Sequence, residues 1–88
     1  MIEQSITIVN PLGLHARPAA QFVKLANTFA SDIEVLKDGV PVNGKSIMGV
    51  MILAAECGSS VTIRANGADE GAAVAALVEL VASGFGES

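Results

Sequence analysis

The period of the apolar side chains changes along the chain, and each change marks a predicted element of secondary structure. Apolar and polar side chains alternate over residues 2–9, which predicts a half-buried β-strand. From residue 16 the apolar side chains recur every three or four positions, which predicts an amphipathic helix that ends near residue 27 or 28. Pro18 would lie in the first turn of this helix, where its missing N–H removes no intrahelical hydrogen bond.

Two short alternating stretches surround a turn signal in the middle of the chain. Residues 33–36 and 40–42 carry apolar side chains at alternate positions, and Asp38-Gly39 lies between them. This dipeptide predicts a two-residue hairpin, because a type I′ turn needs a positive φ angle at both positions. Pro41 cannot donate a backbone hydrogen bond, so the strand after the turn is expected at an edge of a sheet.

The second half of the chain predicts a short helix, a strand and a final helix. Ser46 is expected to cap the short helix, with Gly58 just past its C-terminal end. Alternation over residues 60–65 predicts a fourth strand. Asp69 is expected to cap the final helix. The side chains that this helix should present to a core are Ala73, Ala76, Leu77, Leu80 and Val81.

The predicted order of elements is β-α-β-β-α-β-α, without a repeat, a linker or a low-complexity segment. The glycines at positions 84 and 86 predict a frayed tail after the last helix. Four short strands with one apolar face need covering, and three amphipathic helices can cover that face from one side. We therefore expect one domain over residues 1–88. It would be a two-layer α+β sandwich whose other sheet face stays open.

Composition and charge narrow the classes of function. With 51% hydrophobic and 16% charged residues, the chain has the composition of a folded globular protein. The formal net charge of -4 disfavours nucleic acid as a partner, because phosphate neutralisation requires basic side chains in excess. Residues 1–45 contain four basic and four acidic side chains, whereas residues 46–88 contain five acidic ones and only Arg64. An anion or an acidic partner is therefore expected to meet the first half.

Three absences in the sequence bear on location. Cys57 is the single cysteine, so no intrachain disulfide can form, and a reducing cytosol fits this. The N-terminus lacks the basic and apolar regions of a targeting segment. No apolar stretch approaches the roughly 20 residues that span a bilayer. We expect a cytoplasmic protein that has no membrane partner.

The run GLHARPAA, residues 13–20, contains the single histidine, two positions before Arg17 and at the predicted start of a helix. The first-turn N–H groups of Ala16 and Arg17 have no intrahelical acceptor, and the helix dipole leaves partial positive charge there. Arg17 adds a planar cation suited to phosphate oxygens. A neutral imidazole is a competent nucleophile toward phosphorus. This arrangement predicts a negative group between His15 and Arg17, namely a phosphoryl group attached to His15 and steadied by Arg17 and the helix terminus.

Less specific explanations of His15 stay open at this point. A single histidine near a helix start is most often a surface residue or a cap. A metal site is disfavoured, because there is no second histidine and Cys57 lies far along the chain. We expect neither a metal nor a cofactor. An unrelated α/β module with an anion site at its first helix would show the same local features.

A longer match favours one explanation. GLHARPAA followed by GKSIMGVMILAAECGSSVTIRANGADE resembles the histidine-containing phosphocarrier (HPr) family of the bacterial phosphoenolpyruvate-dependent phosphotransferase system. The resemblance runs essentially end to end and includes both family signatures at their expected separation. It implies an HPr-like open-faced β-sandwich, with an antiparallel sheet of strand order 1-4-2-3 and three helices on one face.

The resemblance also implies roles for the residues at the first helix. His15 matches the histidine that receives a phosphoryl group on Nδ1 from enzyme I, and Arg17 matches the arginine that contacts this group. The group then passes to a IIA component of a sugar permease or to a related regulatory domain. The implied protein is a covalent phosphocarrier rather than an enzyme. We expect it to be a monomer.

A second site is implied at the short helix. Ser46 matches the serine that HPr kinase/phosphorylase phosphorylates in many bacteria, so this kinase is a further implied partner, although serine is also an ordinary N-cap residue. In the family, the residues at 47, 48 and 51 form part of an exposed surface that docks enzyme I and IIA proteins. The apolar stripe expected to dock partners comprises Ile47, Met48, Met51 and Ile52, opposite Val50 and Leu53.

The resemblance leaves two alternatives open. A non-transporting regulator that controls a partner through Ser46 or His15 would share these residues, although relatives that work only through the serine lack the active histidine. Among phosphocarriers, the sugar branch and the nitrogen-related regulatory branch share the same site residues. The sequence therefore predicts phosphoryl transport, with the nitrogen-related branch as the alternative to sugar uptake.

Overall fold

The computed structural model describes residues 1–87 and shows the predicted order of elements. Four strands, numbered along the chain, form one antiparallel sheet in the order 1-4-2-3, and three helices cover one face of it. The predicted open-faced sandwich is therefore confirmed. The elements are β1 (Ile2–Thr7), α1 (Ala16–Ala26), β2 (Asp32–Lys37), β3 (Val40–Asn43), α2 (Ile47–Ile52), β4 (Ser60–Asn66), α3 (Glu70–Ala82) and a 3-10 turn (Gly84–Gly86).

The core lies between the inner face of the sheet and the helices. The central strand β4 turns alternate side chains toward it, and those of Val61, Ile63 and Ala65 are almost completely buried. α1 turns its predicted apolar face to this core, with the ring of Phe22 as its largest buried group. Leu77 of α3 is also fully buried. The chain thus places its apolar surface on one side of the sheet, where burial stabilises the fold.

The face that α3 turns to the core differs in part from the predicted one. Ala76 and Leu80 are only partly buried, whereas Val74 is buried. α3 is apolar on nearly all sides, so its sequence period indicates the buried face poorly. None of the helices among residues 1–87 has the length and hydropathy of a membrane-spanning segment.

The β2–β3 hairpin has the predicted turn. Asp38 and Gly39 have φ angles of 52° and 79°, as a type I′ turn requires. Pro41 pairs with Leu36 in the edge strand β3. Because Pro41 lacks an N–H, this edge presents fewer donors to another chain.

α2 is shorter than predicted. It ends at Ile52, and Ala54 then has a left-handed backbone with a φ of 49°. The residues that follow bind the loop before α1 instead of continuing the helix: Leu14 N donates to Ala55 O at 2.9 Å, and Gly58 N also donates into this loop. The prediction of a helix that reaches almost to Gly58 is wrong, because these tertiary hydrogen bonds replace helical ones.

Asp69 precedes α3 at the N-cap position, but its side chain does not cap the helix. Its carboxylate accepts hydrogen bonds from the Ser31 hydroxyl and from the backbone N–H groups of Ala30 and Ser31. These bonds lower the pKa of Asp69 below its ordinary value, and the Ser31 hydroxyl contributes most. The predicted capping by this side chain is therefore wrong. The Asp69 carboxylate instead joins the loop between α1 and β2 to the start of α3.

The tail after α3 is ordered rather than frayed. Gly84, Phe85 and Gly86 form a tight turn in which all three φ angles are positive, between 57° and 73°. The ring of Phe85 is only 4% exposed. Two glycines allow the left-handed path, and burial of the aromatic ring anchors it, which the prediction from the glycines alone does not consider. The turn brings Glu87 back toward the loop before α1.

Candidate functional site

His15 occupies the N-cap position of α1 with an extended backbone. Its carbonyl oxygen accepts the first helical hydrogen bond from Ala19 N at 3.0 Å, whereas its side chain makes no capping bond. The side chain is 36% exposed. The imidazole is therefore open to solvent at the start of the helix.

The loop before His15 is held by hydrogen bonds within itself and to the segment after α2. Gly13 N donates to Asn10 O at 3.1 Å, and His15 N donates to Gly13 O at 2.9 Å. Leu14 N is bound to Ala55 O. Gly13 has a φ of 67°, and a Cβ atom at this position would overlap the carbonyl oxygen of Ala55. The position of His15 is thus determined by close backbone contact with the chain that follows α2.

Glu87 contacts His15, although no sequence pattern indicates this. Its Oε2 lies 2.9 Å from Nε2 of His15, and its Oε1 accepts a hydrogen bond from Nδ2 of Asn10 at 2.9 Å. The hydrogen bond from Asn10 is the main cause that lowers the pKa of Glu87, and the hydrogen bond from His15 and the charge of Arg17 lower it further. A carboxylate only accepts, so Nε2 carries the proton of its bond. In the neutral ring, Nδ1 then carries the lone pair.

The structure places Arg17 in the exposed first turn of α1, two residues after His15. The hydrogen bonds of residues 1–87 include none from the backbone N–H groups of Ala16 and Arg17. Both groups lie at the positive end of the helix dipole. The sequence predicts a phosphoryl group as the negative group beside His15 and Arg17. In this structure, the carboxylate of Glu87 supplies negative charge beside the His15 ring.

Ser46 caps α2 as predicted. Its Oγ accepts a hydrogen bond from Gly49 N at 3.1 Å. The lysine next to it in the sequence, Lys45, donates from Nζ to Phe29 O at 2.8 Å. The ammonium group of Lys45 is therefore bound to the loop between α1 and β2 rather than to Ser46.

The predicted apolar stripe lies on the exposed side of α2. The exposed fractions range from 39% to 71% for Ile47, Met48, Met51 and Ile52. We call these four residues the α2 patch. Val50 and Leu53 are buried on the opposite side of the helix. Because α2 packs against α1, the α2 patch belongs to the same layer as the helix that His15 precedes.

Sequence reasoning misses the Asn10–Glu87 part of this site. Glu87 is separated from His15 by 72 residues, and no motif joins them. The available signal is Phe85, an isolated aromatic residue between two glycines, which indicates an anchored turn rather than a loose tail. Among residues 1–87, no group of three side chains could ligate a metal.

Comparisons with known proteins identify the family of the chain. The family model described as "PTS HPr component phosphorylation site" matches residues 2–83. Phosphocarrier protein HPr of Cupriavidus necator is 48% identical over 87 residues, covering 99% of this chain and 98% of that protein. The crystal structure of HPr-C-His from Thermoanaerobacter tengcongensis superposes with a TM-score of 0.96 at 52% identity, covering 100% of this chain and 99% of the other.

One similar structure is described as a dimer. An HPr dimer from Thermoanaerobacter tengcongensis has a TM-score of 0.79 at 53% identity, covering 99% of this chain and 100% of the other. That dimer is a property of the relative, and a monomer stays the prediction for this chain. Because both the family model and these relatives span nearly its whole length, the chain belongs to the HPr family of phosphocarriers of the phosphotransferase system.

Proposed function

We propose that this chain carries a phosphoryl group on Nδ1 of His15 from phospho-enzyme I to IIA components of the phosphotransferase system in the cytoplasm. It is a covalent intermediate in this transfer rather than a catalyst with its own substrate. The observation that carries the proposal is the hydrogen bond between Glu87 and Nε2 of His15. This bond leaves Nδ1 as the nucleophilic atom of an accessible ring.

The start of α1 suits the charge of a phosphoryl group. The unpaired N–H groups of Ala16 and Arg17 favour an anion at this helix terminus. The guanidinium of Arg17 can donate to two phosphate oxygens at once, and it is exposed enough to meet the group on an incoming donor. The carboxylate of Glu87 binds the other ring nitrogen, so its charge does not occupy the position at which phosphorus is attacked.

The test of this function is phosphorylation in solution. The chain is incubated with enzyme I and phosphoenolpyruvate labelled in its phosphoryl group. We expect up to one phosphoryl group per chain, bound through a bond that is labile in acid and stable in alkali, as expected for phosphohistidine. Absence of label, or a label that survives acid, would contradict the proposal.

The acceptor then identifies the branch. Under the proposal, phosphorylated protein passes its label to IIA components of sugar permeases. Transfer to a nitrogen-related IIA protein alone would assign the chain to the regulatory branch instead. Retention of the label with every IIA protein would favour a non-transporting regulator.

We also propose that phosphorylation of Ser46 by HPr kinase/phosphorylase weakens the docking of enzyme I and IIA components on the α2 patch. A phosphate at this position faces a helix start and adds up to about two negative charges. Lys45 is bound to Phe29 O, so it is not placed to neutralise them. The added charge would therefore lie at the edge of an apolar surface that includes Ile47 and Met48.

Ser46→Asp and Ser46→Asn form a matched pair that isolates charge from capping. Both side chains cap a helix well and have nearly the same shape, but only aspartate adds a charge. We expect the aspartate variant to need at least about fivefold more protein for half-maximal transfer from enzyme I, the effect of roughly 1 kcal/mol at an interface. Equal half-saturation in the two variants would rule out the charge effect. Thermal unfolding of both variants checks that they are equally stable and that both side chains cap α2.

A further inference from the structure

Asn10 is a buried polar residue that links the loop before α1 to Glu87. Its side chain is 1% exposed, and Nδ2 donates to Gly13 O at 2.7 Å and to Glu87 Oε1 at 2.9 Å. The reverse amide orientation would set its oxygen against two acceptors, so the hydrogen bonds determine which atom is nitrogen. Oδ1 has no hydrogen-bond partner within residues 1–87. The loop thus tolerates an unsatisfied buried oxygen while the amide nitrogen holds Glu87.

Glu87 is held from two directions at once. Asn10 binds one carboxylate oxygen, and the other faces Nε2 of His15. The backbone turn anchored by Phe85 sets the direction from which the side chain arrives. Among residues 1–87, the basic groups that act on this carboxylate are His15 and Arg17. Glu87 is therefore preorganised to accept a hydrogen bond from Nε2.

We propose that Asn10 and Glu87 are positioning residues that keep the proton on Nε2 of His15 while the phosphoryl group enters and leaves at Nδ1. Their role presupposes phosphoryl transfer at His15, the proposed function. In uptake, the lone pair of Nδ1 forms the Nδ1–P bond, and the bond from phosphorus to the donor breaks with its electron pair remaining on the donor. The product is a phosphoimidazolium ring whose Nε2–H donates to Glu87.

Retention of this proton favours the next transfer. When the phosphoryl group departs from a protonated ring, the leaving group is neutral imidazole. Departure from a deprotonated ring would leave an imidazolate, which is a much stronger base and a poorer leaving group. A charge-assisted hydrogen bond to the carboxylate of Glu87 stabilises the cationic ring and so opposes loss of the proton to water.

The first experiment needs no phosphoryl group. The ¹⁵N chemical shifts of the His15 ring are measured near neutral pH in wild type and in Glu87→Gln, with the same substitution at the exposed Glu79 as the matched control. We expect the Nε2–H tautomer in wild type and in Glu79→Gln, and a larger share of Nδ1–H in Glu87→Gln. Asn10→Ala should shift the tautomers in the same direction. Because loss of a buried amide can disturb the loop, Glu87→Gln carries the test alone.

The second experiment follows loss of the phosphoryl group to water from protein loaded by phospho-enzyme I and freed of donor. We expect Glu87→Gln to lose it roughly tenfold more slowly near neutral pH, the scale of one lost hydrogen bond. The two pH profiles should converge in acid, where solvent protonates both rings. An unchanged profile in Glu87→Gln would overturn the inference even if its tautomer changed, and would leave the proposed function intact. A wild type that takes up no label would overturn both, which distinguishes the two failures.

Discussion

His15→Ala is expected to abolish phosphoryl uptake from phospho-enzyme I and phosphoenolpyruvate without unfolding the protein. The chain has one histidine, and the neighbouring Arg17 is always protonated and cannot replace it as a nucleophile. The fold should tolerate the change, because the His15 side chain is partly exposed and does not cap α1. Loss of its solvent-screened contact with Glu87 should lower the unfolding free energy only slightly.

Labelling and thermal unfolding measured on the same samples check this result. Lys24→Ala, an exposed change on the same helix, is the control and should take up label at the wild-type level. A folded His15→Ala protein that still acquired an acid-labile label would show that the phosphoryl group is attached elsewhere. The assignment of His15 would then be wrong, whatever the geometry around its ring.

Local patterns predict much of this fold because many of its determinants are local. The turn at Asp38-Gly39 requires only two positive φ angles, and the cap at Ser46 requires only one side-chain oxygen three residues before a donor. The exposure of the α2 patch follows from a six-residue helix that is apolar on all sides and can bury only one of them. The residues that place the His15 ring at a helix start are also local, so the motif at residues 13–20 predicts an accessible ring.

The features that sequence reasoning misses depend on contacts between distant parts of the chain. α2 stops early because Ala55 binds the loop before α1, and nothing in the local sequence marks Ala54 as left-handed. Asp69 has the residue type of a cap, but its carboxylate accepts hydrogen bonds from the backbone of Ala30 and Ser31 instead of from the first turn of α3. In each case, a local preference is overridden by a hydrogen bond between segments that lie far apart in the sequence.

The contact of Glu87 with His15 is the most consequential of these long-range features. It requires the turn around Phe85 to fold back, and it requires Asn10 to be buried beneath that turn. Neither residue belongs to the motif at residues 13–20. The motif therefore predicts which ring reacts, and the hydrogen bond to Glu87 independently leaves free the nitrogen atom, Nδ1, that the family resemblance implies.

Gly13→Ala is expected to destabilise the protein by about 2–5 kcal/mol, the sum of two costs. A φ of 67° costs a non-glycine residue about 1–2 kcal/mol. The new Cβ would overlap the carbonyl oxygen of Ala55, and the backbone shift that relieves this overlap costs about 1–3 kcal/mol. The shift acts on the bond from Leu14 N to Ala55 O and hence on His15. Since a displacement of about 1 Å can slow a reaction roughly 100-fold, uptake of the phosphoryl group should slow as well.

Gly39→Ala separates the two costs. Gly39 also has a positive φ, 79°, but a Cβ there would meet no atom within 4 Å. We expect Gly39→Ala to lower the free energy of unfolding by the backbone cost alone, about 1–2 kcal/mol, and to take up label at the wild-type rate. Urea unfolding measures the first quantity and the initial rate of labelling measures the second. If both variants unfolded at the same urea concentration and were labelled equally fast, the contact between Gly13 and Ala55 would not be what positions His15.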